Sequence, residues 1–207
     1  TFDGGETAAC VLTGSPITDG TSPGRGGGLP GNGSHAPIRN CIITGNKAQM
    51  HGGGVYYFYG PISQCTIFDN EAAGGGGLST CEGDLTDCVI RDNVAHRHGG
   101  GIENHQNGII SRCVIVGNST GETGTGAGVY NAGHLESCII AGNRAGVGGG
   151  VFRSGDINNC TIVGNVETPP EGVYGGGLFW CETAITSSII YGNWPNQFGK
   201  CSEPTYS

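Results

Sequence analysis

Apolar residues in this chain fall in short alternating runs, never in long ones. Cys41-Ile42-Ile43-Thr44-Gly45-Asn46 sets the type. The same Cys-x-Ile-x-(Gly/Asp)-Asn pattern starts again at Cys65, Cys88, Cys113, Cys138 and Cys160, and Ser188 begins a copy with Ser in the Cys place. Cys10-Val11-Leu12-Thr13-Gly14-Ser15 reads as a degenerate first copy. Successive copies then begin 31, 24, 23, 25, 25, 22 and 28 residues apart. Between them lies a second block, three glycines followed by Val, Leu or Ile, at residues 26–29, 52–55, 75–78, 99–102, 148–151 and 175–178, with Gly126-Ala127-Gly128-Val129 as a variant.

A period of 20 to 30 residues is the mark of a solenoid. Apolar positions at helical spacing are never sustained, and so much glycine would break helices. Short β-branched alternating runs predict strands, and the leucine ladder of a leucine-rich repeat is missing. The expected fold is therefore all-β: one right-handed parallel β-helix of about eight coils over residues 1–207. Residues i and i+2 of a strand share a face, so Cys and Ile should point inward. Ile43, Ile67, Ile90, Ile115, Ile140, Ile162 and Ile190 would stack about 4.8 Å apart. Asn46, Asn70, Asn93, Asn118, Asn143, Asn165 and Asn193 would form a ladder of side-chain amides, which both donate and accept.

That reading changes the meaning of the ten cysteines. Cys10, Cys41, Cys65, Cys88, Cys113, Cys138 and Cys160 are assigned to the ladder. Stacked neighbours have parallel Cβ directions, which suit a disulfide poorly, so free thiols are expected there. Cys81, Cys181 and Cys201 lie off the ladder, and a Cys181–Cys201 bond stays open.

The net charge of −8 argues against non-specific nucleic-acid binding and against a polybasic membrane patch. No run of about 18 apolar residues is present, so no membrane span is expected. The chain opens at Thr1-Phe2-Asp3-Gly4-Gly5 in mid-repeat and closes on Pro204-Thr205-Tyr206-Ser207. Solenoids need polar terminal coils, so the expectation is open ends that stack on another copy, or a chain cut from a longer surface protein.

Ile-x-x-Asn followed by Gly-Gly-(Val/Leu/Ile), fullest at Asp69-Asn70-Glu71-Ala72-Ala73-Gly74-Gly75-Gly76-Gly77-Leu78, resembles the repeats of the chlamydial polymorphic outer-membrane proteins. More broadly, it resembles the β-helical passenger domains of bacterial surface proteins. The resemblance spans Cys10 to Asn193. It implies a secreted or cell-surface passenger with adhesion or structural roles and brings no catalytic residues with it.

Four groups of residues could carry chemistry or contact. With Cys and Ile inward, Ile42, Val89, Val114, Val116, Ile139, Val163 and Ile189 make a flat apolar outer face, a candidate interface for another copy or a neighbouring domain. Tyr56, Tyr130, Phe152, Phe179 and Trp180 make an aromatic stripe that could stack on the sugars of a polysaccharide, although stacked aromatics also simply stabilise neighbouring coils. Asp69 and Asp92 share a repeat position in consecutive coils and could hold calcium or act as an acid/base pair with Arg91 and Glu103; ordinary turn aspartates are the favoured alternative. His51, His96, His98 and His105 gather in neighbouring coils. His51 and His98 are two coils apart, while His98, Glu103 and His105 form a candidate zinc or acid/base set.

The leading expectation is a non-catalytic extracellular scaffold for adhesion or self-assembly. The alternatives are a polysaccharide lyase or glycosidase working in a groove beside Asp69, Asp92, Arg91 and Glu103, and a pure glycan-binding module.

Overall fold

The computed structural model describes residues 4–7, 9–168, 174–181 and 183–201. The opening Thr1-Phe2-Asp3 and the closing Pro204-Thr205-Tyr206-Ser207 lie outside them. Strands stack in parallel into three sheets of 14, 8 and 7 strands. The second sheet is built from the Cys-x-Ile runs, the third from the short strands that follow each Asn, and the first from the strands after the glycine blocks and their continuations. Eight rungs in one sheet and seven in another give about seven turns, slightly fewer than the eight coils expected. Among the described residues no helix is long and apolar enough to cross a membrane.

The second sheet keeps strict register. Ile17, Ile43, Ile67, Ile90, Ile115, Ile140, Ile162 and Ile190 pair rung to rung, and the six from Ile43 to Ile162 are fully buried. This register corrects the first copy. Pro16 pairs with Ile42, so the first copy begins at Ser15, not Cys10. Leu12 instead pairs with Ile38 in the first sheet, and Cys10 is exposed, outside the thiol column.

The asparagine ladder is complete. From Asn46 to Asn165 each Nδ2 donates to the next coil's Oδ1, as from Asn93 to Asn118 at 3.0 Å, and every ladder Nδ2 donates to an isoleucine carbonyl of the preceding coil, as from Asn93 to Ile67 at 2.9 Å. From Asn70 on, each Oδ1 also accepts the backbone N–H of the preceding Asn, at 3.0 Å for Asn93 to Asn118. The amides are thus buried with their hydrogen bonds made, the condition under which burying polar groups is tolerated. Asn118, Asn143 and their neighbours are shut off from solvent.

The thiols stack alongside. Cys41, Cys65, Cys88, Cys113, Cys138 and Cys160 are buried and free, and Ser188 ends the column by accepting the Cys160 N–H at 3.0 Å. Cys181 and Cys201 are also free thiols; the Cys181 N–H donates to the Cys201 sulfur at 3.3 Å. The ladder thiols donate to the carbonyl two residues back, as Cys113 does to Ser111 at 3.2 Å.

Corners are made by residues with left-handed backbone. In the glycine block Gly75 has φ +59°, and a Cβ on Gly101 would lie 2.7 Å from the Gly128 carbonyl oxygen of the next coil. Only glycine fits both demands without strain.

Candidate functional site

One column of the first sheet runs Tyr56, Ser79, Glu103, Tyr130, Phe152, Phe179. The aromatic stripe is therefore broken for two rungs by a hydroxyl and a carboxylate. A second column on the third-sheet side of the glycine corner runs His51, Gly74, His98, Thr125. These columns meet around Gly74. A Cβ there would lie 2.7 Å from Glu103 Oε1, so the missing side chain is what admits the carboxylate between the two histidines.

Glu103 is 3% exposed. Its Oε2 accepts the Ser79 hydroxyl at 2.6 Å and faces His51 Nδ1 at 3.0 Å. His98 Nδ1 contacts Thr125 Oγ1 at 2.8 Å. Both imidazoles lie against tyrosines: His98 stacks on Tyr130 at 4.7 Å, and His51 on Tyr56 at 6.4 Å. Burial holds the His98 imidazole below its ordinary range, which keeps it neutral at pH 7. Gln49, Met50, Ala73 and Arg97 complete a cleft of about 420 Å³. A carboxylate fixing one ring nitrogen of a histidine leaves the other free to take or give a proton.

Residues 3–145 match the family described as right handed beta helix region. The chain belongs to that family. No curated protein and no solved structure matched it.

Elsewhere on this right-handed β-helix, the residues singled out from the sequence take different places. Asp69 and Asp92 sit exposed at a corner with φ of 53° and 54°. They share that corner with Asp19, Gly45 and Gly117, all left-handed, so they are turn residues. Arg91 binds Asp92 at 2.6 Å and lies 4.2 Å over the Phe68 ring. The third-sheet strand Val94–His98 separates this corner from Glu103, so Asp69, Asp92, Arg91 and Glu103 form no common groove. No group of three or more metal-binding side chains occurs among the described residues, at Asp69 and Asp92 included.

His105 does not join His98 and Glu103. Asn104 has φ +52° and turns the chain, sending His105 into the core column beside Ala132. There both ring nitrogens lack a hydrogen-bond partner among the described residues. Burial lowers its pKa to about 4. His96 pairs outward with Glu71 at 3.3 Å, and Lys47 holds the same carboxylate at 2.8 Å.

The stripe stacks on itself. Tyr130 and Phe152 are 5.3 Å apart at 18°, and Phe152 and Phe179 are 5.5 Å apart. Phe179 is only 4% exposed and offers no free face, whereas Trp180 stands 45% exposed at a corner with Arg153 over its ring at 5.8 Å. On the second sheet, Ile42, Ile139 and Ile189 are exposed and Val89, Val114, Val116 and Val163 half-buried, all on the outer face.

Two titratable groups escaped the sequence reading: His105 as a core residue, and Glu167. Glu167 faces inward in line with Ala145, is 1% exposed, and has its pKa pushed up to about 7 by burial.

Proposed function

We propose that this β-helix is a non-catalytic scaffold of an extracellular or cell-surface kind, and that its second-sheet face packs against a second copy. The observation that carries the reading is the outer face itself. Ile42, Ile139, Ile189 and Tyr191 are 49%, 46%, 62% and 66% exposed on one flat sheet. Arg91 is its only charged side chain among the described residues, and Asp92 pairs with it. A continuous apolar surface is costly to leave in water. The net charge of −8 makes mutual approach repulsive over the rest of the molecule, so two copies meet with least repulsion on this nearly uncharged face. The resemblance of the repeats to bacterial surface passengers supports the location.

Light scattering across a concentration series tests it. The expected result is association that rises with concentration and disappears in Ile139→Lys. A strictly monomeric wild type at all concentrations overturns the reading.

A second reading, a polysaccharide lyase, glycosidase or glycan-binding module, is favoured by one observation, the Glu103–His51 contact within a cleft. Turnover of acidic polysaccharides that is abolished by His51→Ala would establish it in place of the scaffold.

A further inference from the structure

We propose that the cleft around His51, Gly74 and His98 binds an oxyanion, namely the carboxylate, sulfate or phosphate group of a ligand. This site is independent of the scaffold face, which lies on a different sheet.

The inference starts from hydrogen-bonding capacity left over at the cleft. Nδ1 of His51 is held by Glu103 and Nδ1 of His98 by Thr125. The Nε2 atom of each ring has no protein partner among the described residues. The His98 ring also lies against Tyr130 at 4.7 Å, and Glu103 holds the His51 ring, so their orientations are fixed before a ligand arrives, which lowers the entropy lost on binding. Glu103 is sealed beneath them and already accepts two bonds. It therefore orients His51, whose Nε2 donates in the imidazolium form that a bound anion favours, while His98 donates from Nε2 when its Nδ1 accepts the Thr125 hydroxyl.

Arg97 supplies the decisive donor. It is exposed, lines the same cleft, and makes no ion pair among the described residues. Close by, Lys47 and His96 share the single carboxylate of Glu71. Lys47, His96 and Arg97 thus outnumber Glu71 on this flank, and the forked guanidinium matches an oxyanion geometrically. A cation is a poorer occupant, since no three metal-binding side chains converge among the described residues.

The test is an NMR titration of the histidine imidazole signals with sodium sulfate, inorganic phosphate and acetate in turn, with ionic strength held constant by chloride. Saturable shifts are expected at His51 and His98 and not at His134, which lies beside Asp156 at 3.6 Å on the surface. Arg97→Gln should weaken the apparent affinity about tenfold, the size of one lost charge-assisted bond. Gly74→Ala, which displaces Glu103, should weaken it as well, while the rest of the spectrum reports that the variant is folded. The ranking of acetate against sulfate and phosphate distinguishes a carboxylate ligand from an ester. Shifts that grow linearly without saturation, that appear equally at His134, or that saturate with unchanged apparent affinity in Arg97→Gln overturn the proposal.

Discussion

Asn193 donates its Nδ2 to Gln197 Oε1 at 2.9 Å, and its backbone N–H reaches the same oxygen at 3.1 Å. Gln197 thereby takes the place of the next rung's asparagine. At the other end Asn46 Oδ1 accepts the Gly20 N–H at 2.9 Å, so the ladder passes from backbone through seven amides to a glutamine.

The position along this ladder should set the size of each loss. Gln197→Ala strands one partly buried amide and one N–H at an end where water can replace the lost acceptor, so about 1 kcal/mol is expected. Asn118→Ala instead strands the Asn93 amide and N–H in the sealed interior, where unpaired polar groups each cost about 1–3 kcal/mol. Urea unfolding of both variants measures the difference. Equal losses would mean that the ladder contributes through packing and not through its hydrogen bonds.

The corner aspartates lead to a different expectation. Asp69 occupies a left-handed position that glycine fills in other coils, and glycine enters that region with no Cβ penalty. Asp69→Gly should leave stability within about 0.5 kcal/mol of wild type, as for other surface changes. Calcium at millimolar concentration should not raise the thermal midpoint, since a ligand bound to the folded state would do so. A midpoint that climbs with calcium and falls back in Asp69→Gly would restore the metal reading.

How much of this was readable in the chain depends on spacing. The Ile and Asn columns were legible because Cys, Ile and Asn stand at constant offsets within each copy. The first copy was not, because Ser15-Pro16-Ile17-Thr18-Asp19-Gly20 has lost both its Cys and its Asn. Only its offset of 26 residues from the next, closer to the later intervals than the 31 measured from Cys10, betrays it. The site was half legible. His51 and His98 share a repeat position, but the glycine between them and the polar break at Ser79 and Glu103 acquire meaning only once register joins two columns. Left-handed corners at Tyr57, Thr80, Asn104 and Trp180 were hidden, since Tyr, Thr and Trp rarely adopt that conformation, and with them went the inward turn of His105.

Thiol chemistry should report the corrected register. Cys10 is exposed and Cys201 half-buried, while the other eight cysteines are buried. The hydrogen bond from Cys181 lowers the Cys201 thiol to about 7, which favours the reactive thiolate. An aromatic disulfide reagent at pH 8 should therefore titrate two thiols quickly in the native protein. Cys10→Ser and Cys201→Ser should each remove one of them. The remaining thiols should react only on unfolding, and fast labelling of Cys113 or Cys138 would contradict the buried column.

His105 and Glu167 should pull stability in opposite directions with pH. The folded pKa of His105 is about 4 against an ordinary 6.5. Between those values the unfolded chain binds the extra proton, so stability falls as pH drops below about 6.5. By pH 5 the loss is about 2 kcal/mol at 1.36 kcal/mol per unit. The folded pKa of Glu167 is about 7 against 4.5. There the folded chain holds the proton, so stability is gained as pH falls from 7 towards 4.5 and is lacking above 7. The wild-type profile should therefore be flat between pH 5 and 7, with the two groups offsetting each other. His105→Phe, which matches Phe58 two coils earlier in the same core column, removes one side of the balance. Its advantage over wild type should grow from pH 7 to pH 5, whereas Glu167→Ala should show its greatest advantage at pH 8 and lose it by pH 5. Urea midpoints across that range decide the matter. Parallel profiles for both variants would mean that neither group is held in the protonation state its burial demands.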